Sequence, residues 1–328
     1  MALKKPIIAV VLVIVILIVI ITYILIGNYN NDSKAELNTE HSILYASGQN
    51  GFPKIDNGYI YWSIFDNNSI FRYDIESENI LEYSPDSEPD YSLSNIFPSD
   101  GYIICEYFYE LDLNFSIIYM IYNIKDNILE ELLVDAWGIA FDYPYVVYHT
   151  IGIEHPSLFL LDLKTNTTEF INNASWGKIS GDYIVYVLGL EAHIYHIPTK
   201  ADTIIMKSEE TNIDIEITKD KCLMTDTEDT GPGATTDIYI YQIGTGDLEK
   251  VGTYNNWIIY EEFDGRYLYW TNGGSDEEVT VMDTETQVTK TMASGQWIAP
   301  LAYGSLSAEN NIVVWASYYE IHMGRIID

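Results

Sequence analysis

The residues with the most evident chemical capacity in this sequence are acids and tryptophans. The segment Asp226-Thr-Glu228-Asp229-Thr-Gly231-Pro-Gly233 gathers three carboxylates beside two glycines. Hard oxygen ligands on a tight turn suit Ca²⁺, so Asp226, Glu228 and Asp229 are the candidate metal ligands. The segment lacks the spacing and terminal Glu of an EF-hand loop, and an ordinary solvated acidic loop accounts for the same residues. Trp137, Trp176, Trp257 and Trp297 each stand ahead of a short apolar run. They are candidate ligand-binding residues, able to stack on sugar rings. Regular recurrence equally suits a wedge between repeated units, and packing is the reading it favours.

Other reactive groups give less. His193 and His196 lie three apart on a predicted strand, so they point to opposite faces and cannot share a metal. His149 and His155 share a predicted loop with Glu154 and could form a site, but loop histidines are common and the signal is weak. Cys105 and Cys222 read as small buried residues in repeats far apart, and two cysteines make no disulfide framework. No H-E-x-x-H or G-x-S-x-G pattern is present. Carboxylate pairs are too abundant among 49 acids to single out a glycosidase pair. No catalytic residue is assigned. Asn31, Asn67, Asn114, Asn166 and Asn173 stand in Asn-x-Ser/Thr sequons, which are glycan acceptors outside the cell.

The whole chain of 328 residues carries 16 Lys plus Arg against 49 Asp plus Glu, a net charge of −33. That balance argues against nucleic acid and anionic headgroups as partners. It leaves divalent cations or basic groups as electrostatic partners, or simply a solvated acidic exterior. At 48% apolar and 20% charged, the chain has ample material for a core and is no disordered acidic tail.

Topology follows from the first residues. Lys4 and Lys5 precede Ile7–Ile26, twenty residues whose polar groups are confined to Thr22 and Tyr23. A helix of that length rises about 30 Å, enough to span a bilayer core. The run is longer than a signal-peptide core, and no small-x-small cleavage site follows it. Lysines before the span, with Asp32 and Glu36 after it, predict a cytoplasmic N-terminus and an external remainder. Residues 1–27 are thus expected to be a cytoplasmic stub and transmembrane anchor, 28–41 a tether, and 42–328 the folded domain.

That domain is repetitive. A turn of Asp, Gly or Asn followed by a β-rich run recurs at Tyr59, Tyr102, Tyr145, Tyr183, Lys221, Tyr267 and Ile312, with spacings of 43, 43, 38, 38, 46 and 45 residues. A second run follows each landmark, a weaker third follows most, and a short stretch ahead of each supplies a fourth. The runs are β-branched and aromatic, too short for helices, and separated by turn residues. Four strands in about 41 residues predict an all-β, seven-bladed β-propeller. Six blades are the alternative, if the run at Lys221 (KDKCLM) is spurious. The last repeat has no clear fourth strand, so residues 42–47 (SILYAS) are expected to complete it and lock the circle.

The pattern W-x-I-x-G-D-Y-I-V-Y followed by I-Y-I-Y-D-L-x-T, clearest at Trp176–Tyr186 and Ile238–Gly246, resembles the TolB-like/YVTN-type propeller repeats of archaeal cell-surface proteins. The resemblance covers residues 42–328 and implies an extracytoplasmic binding or scaffold module. It transfers no active-site residue. The expected protein is an acidic, single-pass cell-surface glycoprotein of the plasma membrane, with a surface protein or polysaccharide as partner and Ca²⁺ as the one cofactor with any sequence support. Its expected role is non-catalytic; the rival is a glycosidase or lyase acting on surface polysaccharide.

Overall fold

The computed structural model describes residues 37–327, apart from 47–50, 65–67, 86–90, 112–113, 135, 151–155, 209–211, 229–233, 256–257, 273–277, 295–305 and 317–319. The expected membrane helix, most of the tether, and Asn31, Asn67, Asp229, Trp257 and Trp297 lie outside the described residues. Among the described residues no helix is long and apolar enough to cross a membrane.

Strand β1 (Asn38–Ala46) comes first. Blade one is β2 (Lys54–Asp56), β3 (Tyr59–Ile64), β4 (Ser69–Asp74) and β5 (Ile80–Tyr83). Blade two is β6 (Tyr91–Ser99), β7 (Tyr102–Leu111), β8 (Asn114–Asn123) and β9 (Ile128–Val134). Blade three is β10 (Ala136–Asp142), β11 (Tyr145–Thr150), β12 (Ser157–Asp162) and β13 (Thr167–Asn172). Blade four is β14 (Gly177–Ser180), β15 (Tyr183–Leu188), β16 (Glu191–His196) and β17 (Ala201–Lys207). Blade five is β18 (Asn212–Ile217), β19 (Lys221–Thr227), β20 (Thr236–Gln242) and β21 (Leu248–Tyr254). Blade six is β22 (Ile258–Phe263), β23 (Tyr267–Asn272), β24 (Glu278–Asp283) and β25 (Thr289–Ser294). Blade seven is β26 (Leu306–Glu309), β27 (Ile312–Ala316) and β28 (Glu320–Ile327), with β1 as its outermost strand.

All seven landmarks therefore begin the second strand of a blade, including the weak one at Lys221, and seven blades stand over six. Six sheets are antiparallel meanders, and the seventh takes its outermost strand from the start of the domain. The first strands β2, β6, β10, β14, β18, β22 and β26 touch one another in an unbroken cycle, which makes them the wall of a central channel. Local sequence explains the tight hairpins. Asn57-Gly58, Asp100-Gly101 and Asn310-Asn311 each join two strands as two-residue loops with both φ angles positive. That is the mirror-image turn that matches strand twist and selects Asn, Asp and Gly.

The hydrophobic core is divided among the blade interfaces. On β3, Tyr61 packs toward blade two and Trp62 toward blade seven. Successive side chains of a strand point to opposite faces, so each sheet supplies both of its neighbours. Trp62, Trp270 and Trp315, each three residues after a landmark, are among the largest fully buried side chains.

Closure runs as expected in kind, with different limits. β1 pairs antiparallel with β28 from Asn38↔Ile327 to Ala46↔Glu320, with an irregularity between Ile43 and Tyr45. The strand begins four residues earlier than Ser42, inside the segment expected to be tether. Its polar start (Asn38, Thr39, Glu40, His41) hid it, because an outermost strand has one solvated face and needs no alternating apolar residues there.

Candidate functional site: the charged layer of the channel

The antiparallel register places the residue five positions before each landmark in one layer of the channel wall. Lys54 pairs with Tyr61, Phe97 with Ile104, Ala140 with Val147, Lys178 with Val185, Glu216 with Leu223, Glu262 with Tyr269, and Ser307 with Val314. Four of the seven are charged, two lysines and two glutamates. Asp214 lies two residues along β18 from Glu216, on the same face of that strand. The register irregularity between Ile259 and Glu262 turns Glu261 toward blade five. There both of its carboxylate oxygens accept from the Thr225 hydroxyl, at 3.1 and 3.0 Å.

Lys178 is the hub. Its Nζ stands 2.7 Å from Glu216 Oε1, with the lysine side chain 35% exposed and the glutamate 12%. Burial alone would depress the Lys178 ammonium, but Glu216, Glu262 and Glu261 outweigh it and hold the amine above its ordinary range. Glu216 does not gain equally from this contact. Burial pushes its carboxyl up to about 7; Lys178 opposes that shift, Glu262 adds to it, and Lys54 opposes it. One amine shared among several carboxylates leaves each incompletely compensated. Burial, reinforced by Asp214 and Glu216, raises Glu261 well above the usual carboxylate range. Burial also raises Asp214, against Lys178. Lys54 is lowered by burial, with Glu262 pulling the other way. The wall thus carries proton-holding carboxyls beside ionised groups, able to hydrogen-bond a polar ligand as both donor and acceptor.

The sequence candidates fall elsewhere. Trp176 immediately precedes β14, at the end remote from its tight turn, and is 51% exposed. It leads inward to Lys178 two residues on, so it stands at a channel mouth and does not wedge two blades. Trp137 lies in β10 at the same end of its blade. Asp226 sits at the far end of β19, where its carboxylate accepts from Ser208 Oγ at 2.8 Å. It lines an open groove of about 430 Å³ with Met206, Lys207, Tyr239 and Leu248, away from the channel. Glu228 is exposed beside it. Among the described residues no three His, Cys, Asp or Glu side chains are grouped to hold a metal. Asn166 and Asn173 are exposed in turns, while Asn114 opens β8. His149 belongs to strand β11 and not to a loop. Cys105 and Cys222 are free and buried, and burial pushes both thiols up to about 12.

The comparisons bear on the fold. Oligogalacturonate lyase in complex with manganese superposes with a TM-score of 0.62 at 11% identity, over 89% of this chain and 96% of that one. The β-propeller domain of the trilobed protease from Pyrococcus furiosus, with an open velcro topology, gives 0.55 at 13% identity, over 74% and 82%. The chain is a β-propeller. TolB from Acinetobacter baumannii is also similar, at 14% identity over 84% and 78%, but its TM-score of 0.43 carries no argument. No protein-family model matches the sequence, and no curated protein sequence does. At such identities a shared propeller says nothing of shared chemistry. It does set a contrast in closure, since this ring is fastened by β1.

Proposed function

We propose that this chain is a membrane-anchored, extracellular propeller that binds a ligand at the channel mouth marked by Trp176, and does not transform it. The observation that carries the reading is how the channel charges are engaged: Lys178 clasps Glu216, and Thr225 clasps both oxygens of Glu261. Carboxyl groups held in this way have a fixed direction, suited to recognition. The exposed indole of Trp176 adds an apolar plate of the kind that stacks on a sugar ring. A surface polysaccharide or a glycosylated surface protein is the partner this chemistry fits. The anchor rests on Lys4, Lys5 and the apolar run Ile7–Ile26, and the exposed sequons at Asn166 and Asn173 suit an external domain.

A second reading has one observation in its favour. Glu261 and Glu216 hold protons to higher pH than ordinary carboxylates, and a glycosidase or lyase needs one such acid near an ionised partner. One experiment separates the two. Neutral and uronate-containing oligosaccharides are titrated against the full chain by tryptophan fluorescence, and the same mixtures are assayed for new reducing ends or unsaturated products. Saturable binding that Trp176→Ala weakens at least tenfold, with no product, supports the binding module. Product formation abolished by Glu261→Gln would establish the enzyme instead.

A further inference from the structure

The ring is closed by one noncovalent seam, β1 against β28, and that seam contains a histidine pair. His41 Nε2 lies 3.0 Å from His322 Nδ1. Both rings stack with Trp315, His41 at 5.1 Å and His322 at 5.4 Å between centroids, and with each other at 5.2 Å. Trp315 and His322 face each other across β27 and β28. Trp315 is fully buried and His322 nearly so, while His41 closes the stack from the solvent side.

We propose that His41 and His322 form an acid-sensitive latch that loosens the β1–β28 seam, and with it the ring, when both imidazoles are protonated. The contact at 3.0 Å requires one nitrogen to donate and the other to accept, which a neutral pair or a pair with one added proton supplies. A doubly protonated pair presents N–H to N–H and two positive charges in the same stack. Neither of the two facing nitrogens can then accept from the other.

The surroundings oppose the second proton. Among the described residues, the charged or titratable groups on this face are His41 on β1, Glu320 on β28, Lys290 on β25, and Tyr267 and Tyr269 on β23, of which Tyr269 donates to Asp264 at 3.0 Å. Glu320 Oε2, 3.4 Å from His322 Nε2, favours a charged ring. Lys290 donates to the Leu37 carbonyl at 2.7 Å, fastening the start of β1 and adding positive charge to the same face. Glu278 of β24 is engaged with Thr291 on the opposite face of blade six, and Arg325 acts on Tyr73 of blade one. Burial, then His41, lowers His322 below its ordinary value of 6.5 despite Glu320. A folded value below the unfolded one means that the unfolded strand binds the proton more readily. Seam stability is therefore complete above about pH 6.5 and falls as pH drops through the lower folded value.

The test is hydrogen exchange on the full chain in detergent, read by mass spectrometry between pH 7.5 and 5.0 and corrected for intrinsic exchange. Peptides covering 38–46 and 320–327 are expected to lose at least tenfold in protection relative to blade four. The His41→Gln/His322→Gln variant is expected to remove that selective pH response. Equal pH response in the seam and blade four overturns the proposal, as does an undiminished seam response in the variant. Should the variant fail to fold, the comparison within the unaltered chain decides alone.

Discussion

Asp142 Oδ2 accepts the backbone N–H of Gly181 at 2.6 Å, from the turn of blade three to the turn of blade four. The same link recurs around the ring. Asp56 accepts from the Asp100 amide, Ser99 from Tyr143, Asp264 from Asn311, and Glu309 from Gly58. Every one of these acceptors stands three residues before its landmark. A tight turn leaves backbone amides without ladder partners, and a short acceptor on the preceding blade satisfies one of them. The blades are thus fastened by polar contacts on the turn face as well as by apolar contacts between sheets.

Asp142→Ala should therefore destabilise the ring by about 0.5–1.5 kcal/mol, the net contribution of one hydrogen bond whose exposed amide water can take over. Asp142→Asn keeps an acceptor and should cost about half as much. Urea midpoints of the two variants, with unchanged slopes, check this. Equal midpoints for Asp142→Ala and the unaltered chain would show that the turn-to-turn links carry no stability.

Tryptophan substitutions should divide by position. Trp315→Ala removes a fully buried ring and should cost about 3–5 kcal/mol, whereas Trp176→Ala should stay within about 0.5–1 kcal/mol. Thermal melts of both variants decide the point. A large loss at Trp176 would return it to a packing role.

The contrast shows what the sequence made legible. Recurrence at Tyr59, Tyr102 and the other landmarks specified the strands and the blade number, because turn chemistry and β-branched runs are local. The tryptophans divide differently. Trp176, the one repeat-leading tryptophan whose side chain is described, is half exposed, while Trp62, Trp270 and Trp315, inside the landmark motifs, are fully buried. The channel charges were missed although a signal existed: Lys54, Lys178, Glu216 and Glu262 share one offset from their landmarks. Their meaning depends on ring closure, which sets charges from different blades against each other. That is a long-range fact no single repeat contains.

A chain beginning at Gln49 lacks β1, whereas one beginning at Leu37 retains it. The shorter form should lose several kcal/mol of stability, from about eight strand pairings at roughly 0.5–1.5 kcal/mol each, offset by the ordering entropy of the strand. It would also expose β28 as an unpaired edge and should self-associate. Calorimetry and light scattering on the two forms give the answer. Coincident melts and two monomers would mean that β1 is dispensable to closure.

The channel carboxyls should give the ring a pH dependence of opposite sign to that of the histidine seam. Glu216 rises to about 7 and Glu261 well above its ordinary 4.5, so between pH 4.5 and 7 and beyond the folded chain holds more protons than the unfolded one. Stability contributed by these groups is complete below about pH 4.5 and is lost as pH rises through the folded values. Glu261→Gln cannot ionise and can still accept from Thr225. It should be more stable than the unaltered chain by about 1–2 kcal/mol at pH 8, with the gap closing toward pH 4.5. Removing the hub instead, in Lys178→Met, leaves Glu216 and Glu262 uncompensated. That variant should lose about 1–3 kcal/mol at pH 8 and less at pH 5, where the carboxyls take up protons. Urea denaturation of the three chains at pH 4.5, 6 and 8 measures both differences, and subtracting the unaltered chain cancels the shared contribution of His322. A Glu261→Gln chain whose stability runs parallel to the unaltered one across this range would show that Glu261 is ionised and well solvated. The channel would then be an ordinary aqueous passage, and its charges would have no part in holding a ligand.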